Sequence, residues 1–272
     1  MKQEIDIARR LARGAGAILL DHYSRAPSVD WKRENDPVTS ADHAASRFLV
    51  EELGRRYPDD GVLSEEADDD PVRLRRERVW IIDPMDGTKE FISRCDEFSV
   101  MIGLAVDGEA RLGVVHQPTS GKTYYALSGQ GAFMEAGQRA PVRLRVSPES
   151  DPARMTIALS RSHPSSKIDR LRRRLGITAS VASGSLGLKA GLIAEGRAHL
   201  YLNTSTRTYQ WDTCAADVIV KEAGGRMTDL SNVPFRYNRA GLANTNGVLA
   251  TNGRIHDLVV RNFDEPGRPE AL

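Results

Sequence analysis

The stretch Trp80 to Thr88, WIIDPMDGT, runs an apolar segment straight into two carboxylates, Asp83 and Asp86, separated by a proline and a methionine. Pro84 has a fixed φ and no N–H, and Gly87 permits a tight turn, so both carboxylates and the Met85 carbonyl can be folded toward one point. A hard cation such as Mg²⁺ takes oxygen donors in that arrangement. Asp-Pro and Asp-Gly also mark plain surface turns, so the segment alone leaves both readings open. It is no EF-hand loop, because the ladder of acids and the closing Glu are missing. Ser64-Glu65-Glu66 follows the short apolar run GVL, and Asp212 stands at a helix start in WDTCAADVIV. These acids lie where elements end and side chains can converge. Glu65 and Glu66 also fit ordinary loop acids, and Asp212 and Asp42 also fit helix caps that satisfy first-turn N–H groups.

The elements that must position these residues are legible from periodicity. Ile5, Ala8, Leu11, Ala15, Ile18 and Leu19 recur at steps of three and four, which predicts an amphipathic helix over about Lys2 to Tyr23. A second helix is expected from Thr39 or Ser40, both good caps, until Tyr57-Pro58 stops it. VWIID reads as a strand, FSVMIGLAV and ARLGVVHQ flank an Asp107-Gly108 hairpin turn, and TYYAL, GAFM and VRLRV follow. Residues 1–148 are thus expected to form an α+β lobe with an antiparallel sheet and most of the metal ligands. In residues 149–272, strand-like TIALS, ITASVAS, AHLYLN and GVLAT alternate with helical stretches near Ser165 to Leu175, Leu186 to Glu195, Ala215 to Glu222 and Arg254 to Phe263. That pattern predicts an α/β lobe.

The 272 residues carry 38 Lys+Arg against 37 Asp+Glu, a net charge of +1, with 40% hydrophobic and 6% aromatic residues. This profile is that of a globular protein and argues against a dedicated nucleic-acid binder. No apolar run approaches the roughly 18 to 20 residues of a membrane span, and the charged N-terminus lacks the apolar core of a signal peptide, so a cytoplasmic location is expected. Two cysteines, Cys95 and Cys214, supply neither a disulfide framework nor a zinc site. The acidic run at 68–70 and the arginines of 170–174 read as solvated faces.

DPMDGTKEF at 83–91, SEE at 64–66, DPVTSAD at 36–42 and WDTCAADVIVKEAGG at 211–225 resemble the signature segments of the inositol monophosphatase superfamily, in that family's order. KEF at 89–91, SRSH at 160–163 and WDTCA at 211–215 are similar to its 3′(2′),5′-bisphosphate nucleotidase branch, the CysQ-like phosphatases. The resemblance implies a layered α-β-α-β-α sandwich. It implies two or three Mg²⁺ ions: Glu65, Asp83 and the Met85 carbonyl holding one, Asp83, Asp86 and Asp212 a second, and a further one near Glu65. Met85 replaces the more usual Leu or Ile, which matters little for a backbone ligand. Thr88 and Asp42 resemble the pair that orients and deprotonates the attacking water, a role that suits a Thr hydroxyl better than unaided attack.

By the same resemblance, the substrate is adenosine 3′,5′-bisphosphate, contacted by Gly87, Thr88, Ser160, His163, Ser185 and Lys189, and its turnover clears a by-product of sulfate assimilation. His163 before Pro164, Ser160 at a strand end and Lys189 on a helix also have plain structural readings. Phosphate held at the N-terminus of the Leu186 helix is physically reasonable, whereas Gly184 and Gly187 match no dinucleotide fingerprint. Gln210, uncharged where some relatives carry an acid, favours nucleotide over inositol. Arg207 and Tyr209 in NTSTRTYQ fit a loop, or a contact to an anionic or aromatic group. An inositol-1-phosphate or sugar phosphatase, and a partner-binding regulatory protein that keeps the fold, are the alternatives. The presence of Asp42, Glu65, Asp83, Asp86, Thr88 and Asp212 together argues against loss of catalysis. A homodimer is compatible with the resemblance.

Overall fold

The computed structural model describes residues 1–25, 29–33, 36–137, 139–162 and 165–263. The helices are α1 (Lys2–Ser24), α2 (Ser40–Arg56), α3 (Thr88–Ile92), α4 (Ser166–Leu175), α5 (Leu186–Ala194), α6 (Gln210–Glu222) and α7 (His256–Phe263). A hairpin, β1 (Val29–Arg33) and β2 (Asp36–Thr39), leads into α2. A seven-stranded sheet holds β3 (Gly61–Ser64), β4 (Arg78–Asp86), β5 (Ser99–Val106), β6 (Glu109–Gln117), β7 (Lys122–Leu127), β8 (Gly131–Ala136) and β9 (Val142–Arg143) in chain order. The remaining strands are β10 (Thr156–Ser160), β11 (Ala179–Ser183), β12 (Leu200–Asn203), β13 (Arg226–Thr228) and β14 (Val248–Thr251). They form a five-stranded sheet in the order β11-β10-β12-β14-β13.

Strand periodicity builds the layers. On β4, Trp80 and Ile82 point into a core shared with α1 and α2, while Val79 and Ile81 point into a second core shared with α5 and α6. The five-stranded sheet repeats the device. Ala158, Tyr201 and Ala250 face α5 and α6, whereas Ile157, Leu200 and Leu249 face α4 and α7. The result is the expected α-β-α-β-α sandwich, with α5 and α6 as its middle layer.

That middle layer lies unusually close to the larger sheet. A Cβ built on Gly113 of β6 would stand 2.2 Å from the Ala215 carbonyl oxygen, and one on Gly103 of β5 would stand 2.5 Å from Cys214 Sγ. Two glycines therefore let the start of α6, which carries Asp212, seat directly on the strands. The hairpin turn between β5 and β6 is as expected, with both Asp107 (φ 51) and Gly108 (φ 73) left-handed.

The larger sheet is mixed rather than purely antiparallel, because β3 runs parallel to β4. A parallel neighbour needs a long connection, and residues 65–77, with a short 3₁₀ turn at Pro71–Arg75, supply it. The expected strand VRLRV shrinks to Val142–Arg143. In the other direction, α6 begins at Gln210, five residues before the predicted Ala215 start.

Candidate active site

Regular β4 geometry would not bring Asp83 and Asp86 together, since residues three apart on a strand point to opposite faces. Against β5, Asp83 pairs with Met101 and Asp86 with Ser99, so β4 carries one more residue than its partner at Pro84-Met85. This bulge turns both carboxylates into one cleft. The Met85 N–H donates to Asp83 Oδ1 at 2.9 Å, closing the bend. Gly87 (φ 105) then starts α3, and a Cβ there would stand 3.0 Å from the Glu97 carbonyl oxygen, in a conformation that L side chains rarely adopt.

Glu65 arrives through the parallel β3–β4 pairing. Its N–H donates to the Ile82 carbonyl at 3.2 Å, extending the ladder one step beyond Ser64 and placing the side chain beside Asp83. Asp212 arrives on the first turn of α6. One of its oxygens accepts from the Tyr209 N–H at 2.5 Å, so it caps its helix and lines the cleft at once. Asp42 is held in the same way on α2. Its Oδ2 accepts from the Thr39 N–H and Thr39 Oγ1, each at 2.7 Å, and Thr39 Oγ1 accepts from the Ala41 N–H at 3.1 Å. The other Asp42 oxygen accepts from Thr88 Oγ1 at 3.1 Å, and Thr88 Oγ1 lies 3.3 Å from the Met85 carbonyl oxygen. Capping and site geometry are therefore compatible for both aspartates.

The electrostatics follow from crowding acids in a buried place. Burial, then the charges of Glu65, Asp86 and Asp212, push the Asp83 carboxyl well above the ordinary carboxylate range. Burial raises Asp86 as well, against Lys189, Ser185 and Gly187, which lower it. Asp42 is pushed up to about 6, mainly by burial, with Glu65 adding to the shift. Glu65, Asp83, Asp86 and Asp212 line one cleft of about 710 Å³ together with the loop after β12 and the start of α5. Among the described residues no three acidic, histidine or cysteine side chains are drawn into a closed cage. The four carboxylates ring the cleft instead, and acids that destabilise one another's charge in this way are a donor set suited to divalent cations.

Several expected substrate contacts have other work. Ser185, in the sparsely populated φ 46, donates to Asp86 Oδ2 at 2.5 Å, accepts from the Leu188 N–H at 3.1 Å and bonds Ser99 Oγ at 2.9 Å. The anion at the N-terminus of α5 is thus the Asp86 carboxylate, which also accepts from the Gly187 N–H at 2.8 Å, and not a substrate phosphate. Lys189 is buried, with Nζ donating to the carbonyls of Ser183 (3.2 Å), Gly184 (3.0 Å) and Ser185 (2.7 Å). Its donors are spent on the backbone, and burial lowers its pKa to about 8. Gln210 is no recognition position. Its side chain donates to the Arg239 and Gly241 carbonyls at 3.1 Å and accepts from the Arg239 N–H at 3.2 Å, tying α6 to the 239–241 loop.

Ser160, at the end of β10, lines the cleft, as do Gly87 and Thr88. His163 lies outside the described residues. Sequence reasoning passed over Glu90 and Ser162, whose side chains both line the cleft and hydrogen-bond each other. Both sat inside the quoted KEF and SRSH segments. It also missed Glu97, which takes the Gly184 N–H at 2.7 Å and pairs with Arg161 at 2.9 and 2.7 Å, fixing the turn that precedes α5.

A layered sandwich whose cleft gathers carboxylates from the larger sheet and from the first turn of α6, beside a Thr–Asp pair, defines a phosphoric monoester hydrolase. The chain belongs to the inositol monophosphatase family, whose model matches residues 1–267. It is 36% identical over 244 residues to the 3′(2′),5′-bisphosphate nucleotidase CysQ of Aggregatibacter actinomycetemcomitans, covering 88% of this chain and 89% of that protein. It is 32% identical over 268 residues to the fructose-1,6-bisphosphatase/inositol-1-monophosphatase of Thermotoga maritima, covering 96% of each chain. The crystal structure of CysQ from Bacteroides thetaiotaomicron superposes with a TM-score of 0.76 at 31% identity, over 90% of this chain and 95% of that one. No helix among the described residues is long and apolar enough to cross a membrane.

Proposed function

We propose that this phosphatase is Mg²⁺-dependent and removes the 3′-phosphate of adenosine 3′,5′-bisphosphate, giving AMP and phosphate. The observation that carries the chemistry is the Thr88 hydroxyl, hydrogen-bonded to Asp42 at the edge of the carboxylate-lined cleft. The nucleotide assignment is supported by the CysQ relatives at 34% to 39% identity.

Glu65, Asp83 and the Met85 carbonyl would hold one cation and Asp83, Asp86 and Asp212 a second. When bound, such ions neutralise charge on the phosphoryl and leaving oxygens and acidify a water. The chain's own part is proton handling and aim. Thr88 Oγ1 gives its hydrogen to Asp42 and keeps a lone pair toward the cleft, so it can accept from a water and relay that proton to Asp42. Burial brings Asp42 to about 6, a stronger base than an exposed carboxylate. Its two bonds to Thr39 stop it from swinging away. Gly87 and Thr88 would flank the reacting phosphate, and Ser160 and His163 the nucleoside.

The Thermotoga relative supports a second reading, an inositol-1-phosphate or sugar phosphatase built on the same site. Phosphate release by the purified protein with Mg²⁺, with and without EDTA, separates the two. Chelator-sensitive preference for adenosine 3′,5′-bisphosphate over inositol 1-phosphate supports the nucleotidase; the reverse preference replaces it.

A further inference from the structure

The nucleotide carries a second phosphate that the carboxylate cluster would repel, so the cleft needs a cation for it. Lys189 lines the cleft but has given its donors to three carbonyls. Lys89 also lines the cleft and has a partner of its own, and Arg161 is engaged with Glu97. Arg207, in the segment that joins β12 to α6, also lines the cleft and is exposed. Among the described residues its guanidinium forms no hydrogen bond or ion pair, although five carboxylates (Glu65, Asp83, Asp86, Glu90 and Asp212) line the same cleft.

The backbone beneath it is well held. The Ser205 N–H donates to Asn203 Oδ1 at 2.8 Å, and the Arg207 N–H to Ser205 Oγ at 3.0 Å. Beyond it, the Asn244 N–H donates to the Thr208 carbonyl at 2.7 Å and Asn244 Nδ2 to the Tyr209 carbonyl at 2.8 Å. The segment therefore presents Arg207 from a fixed base. Next to it, the rings of Tyr209 and Trp211 stack at 4.8 Å and 15°, and both line the cleft. A planar, permanently charged fork beside a flat aromatic surface suits a phosphate attached to a ring-bearing group.

Resting on the nucleotidase reading, we propose that Arg207 binds the non-reacting 5′-phosphate and is the residue by which the cleft prefers a bisphosphate to a monophosphate. The test compares wild type, R207A and R207K on adenosine 3′,5′-bisphosphate, adenosine 3′-monophosphate and inositol 1-phosphate. AMP and adenosine serve as binding probes by calorimetry. R207A should lose about 10- to 100-fold in kcat/KM on the bisphosphate, the range of one charge-assisted contact, mostly through KM. On the 3′-monophosphate it should change by no more than about twofold. AMP binding should weaken by a similar factor while adenosine binding holds, and R207K should fall between. Equal losses on both nucleotides, or an unchanged preference in R207A, overturn the assignment of Arg207 and leave the nucleotidase reading standing. A wild type that prefers inositol 1-phosphate overturns that reading and this assignment with it.

Discussion

Ser185 Oγ donates to Asp86 Oδ2 at 2.5 Å, and the Gly187 N–H reaches the same oxygen at 2.8 Å. One carboxylate from the larger sheet is thereby docked on a helix of the middle layer, and the cleft is built across that joint. The joint also explains the strained Ser185 backbone, which puts the hydroxyl within reach of Asp86, Ser99 Oγ and the Leu188 N–H together.

Ser185→Ala should therefore act through Asp86. Second partners of metal-holding carboxylates typically change metal affinity by about 10- to 100-fold when removed. The expected result is a rise of that size in the Mg²⁺ concentration that half-saturates phosphate release, with turnover at saturating Mg²⁺ reduced less. Titrating activity with Mg²⁺ for both proteins checks it. An unchanged half-saturation point would mean that the hydroxyl does not orient Asp86.

Asp42 has two jobs that two variants separate. Asp42→Asn keeps an oxygen for Thr39 but cannot take a proton, so phosphate release should fall by about 10² to 10⁴ while thermal stability changes little. Thr39→Ala removes the cap and should cost about 1 kcal/mol of stability, leaving measurable activity. Denaturation curves beside initial rates make the comparison. Comparable rate losses in the two variants would place the effect in helix positioning rather than proton transfer.

Much of this site was legible in the chain itself. Asp83, Asp86, Glu65 and Asp212 stand at element ends, and burial patterns with periods of 2 and 3.6 placed those ends. What periodicity does not carry is the third dimension. Nothing in the local pattern says that β3 lies parallel to β4, yet that pairing brings Glu65 to Asp83. The spacing of Asp83 and Asp86 suggested convergence through Pro84 and Gly87, whereas the bulge opposite Met101 and Ser99 accomplishes it. The family resemblance implies that Ser185 and Lys189 contact the substrate. A long-range contact to the Asp86 carboxylate occupies Ser185, and three carbonyls of the turn just before α5 occupy Lys189, neither of which a hydrophobic pattern shows.

Gly113→Ala should be costly out of proportion to one methyl group. The added Cβ would meet the Ala215 carbonyl oxygen at 2.2 Å, a backbone atom that cannot rotate away. Either α6 lifts from the sheet or the strand bends, at about 1 to 3 kcal/mol or more. Because α6 carries Asp212, activity should fall along with the melting temperature. A variant with wild-type stability and activity would show that α6 tolerates the shift.

Stability should also fall as the solution is acidified, through buried neutral histidine. His116 packs against α1 so closely that a Cβ on Gly16 would stand 2.7 Å from its ring, and its Nδ1 is 3.1 Å from the Lys122 carbonyl oxygen and 2.9 Å from Thr123 Oγ1. Burial, with a smaller contribution from the Arg13 charge, lowers its pKa to about 4. His256, between Thr228 Oγ1 at 2.9 Å and Thr251 Oγ1 at 3.0 Å, is likewise brought to about 4 by burial. In the unfolded chain both titrate near 6.5, so between about pH 6.5 and 4 the unfolded state binds more protons than the folded one. Stability from these groups is therefore complete above pH 6.5, declines as the pH drops toward 4, and levels off below it. For His116 alone the full decline is about 3 kcal/mol. Urea denaturation at pH 7, 6, 5 and 4.5, with His116→Gln for comparison, measures it: the variant should start lower at pH 7 and show a shallower dependence on pH. Parallel curves would mean that His116 takes up its proton in the folded state as readily as in the unfolded one.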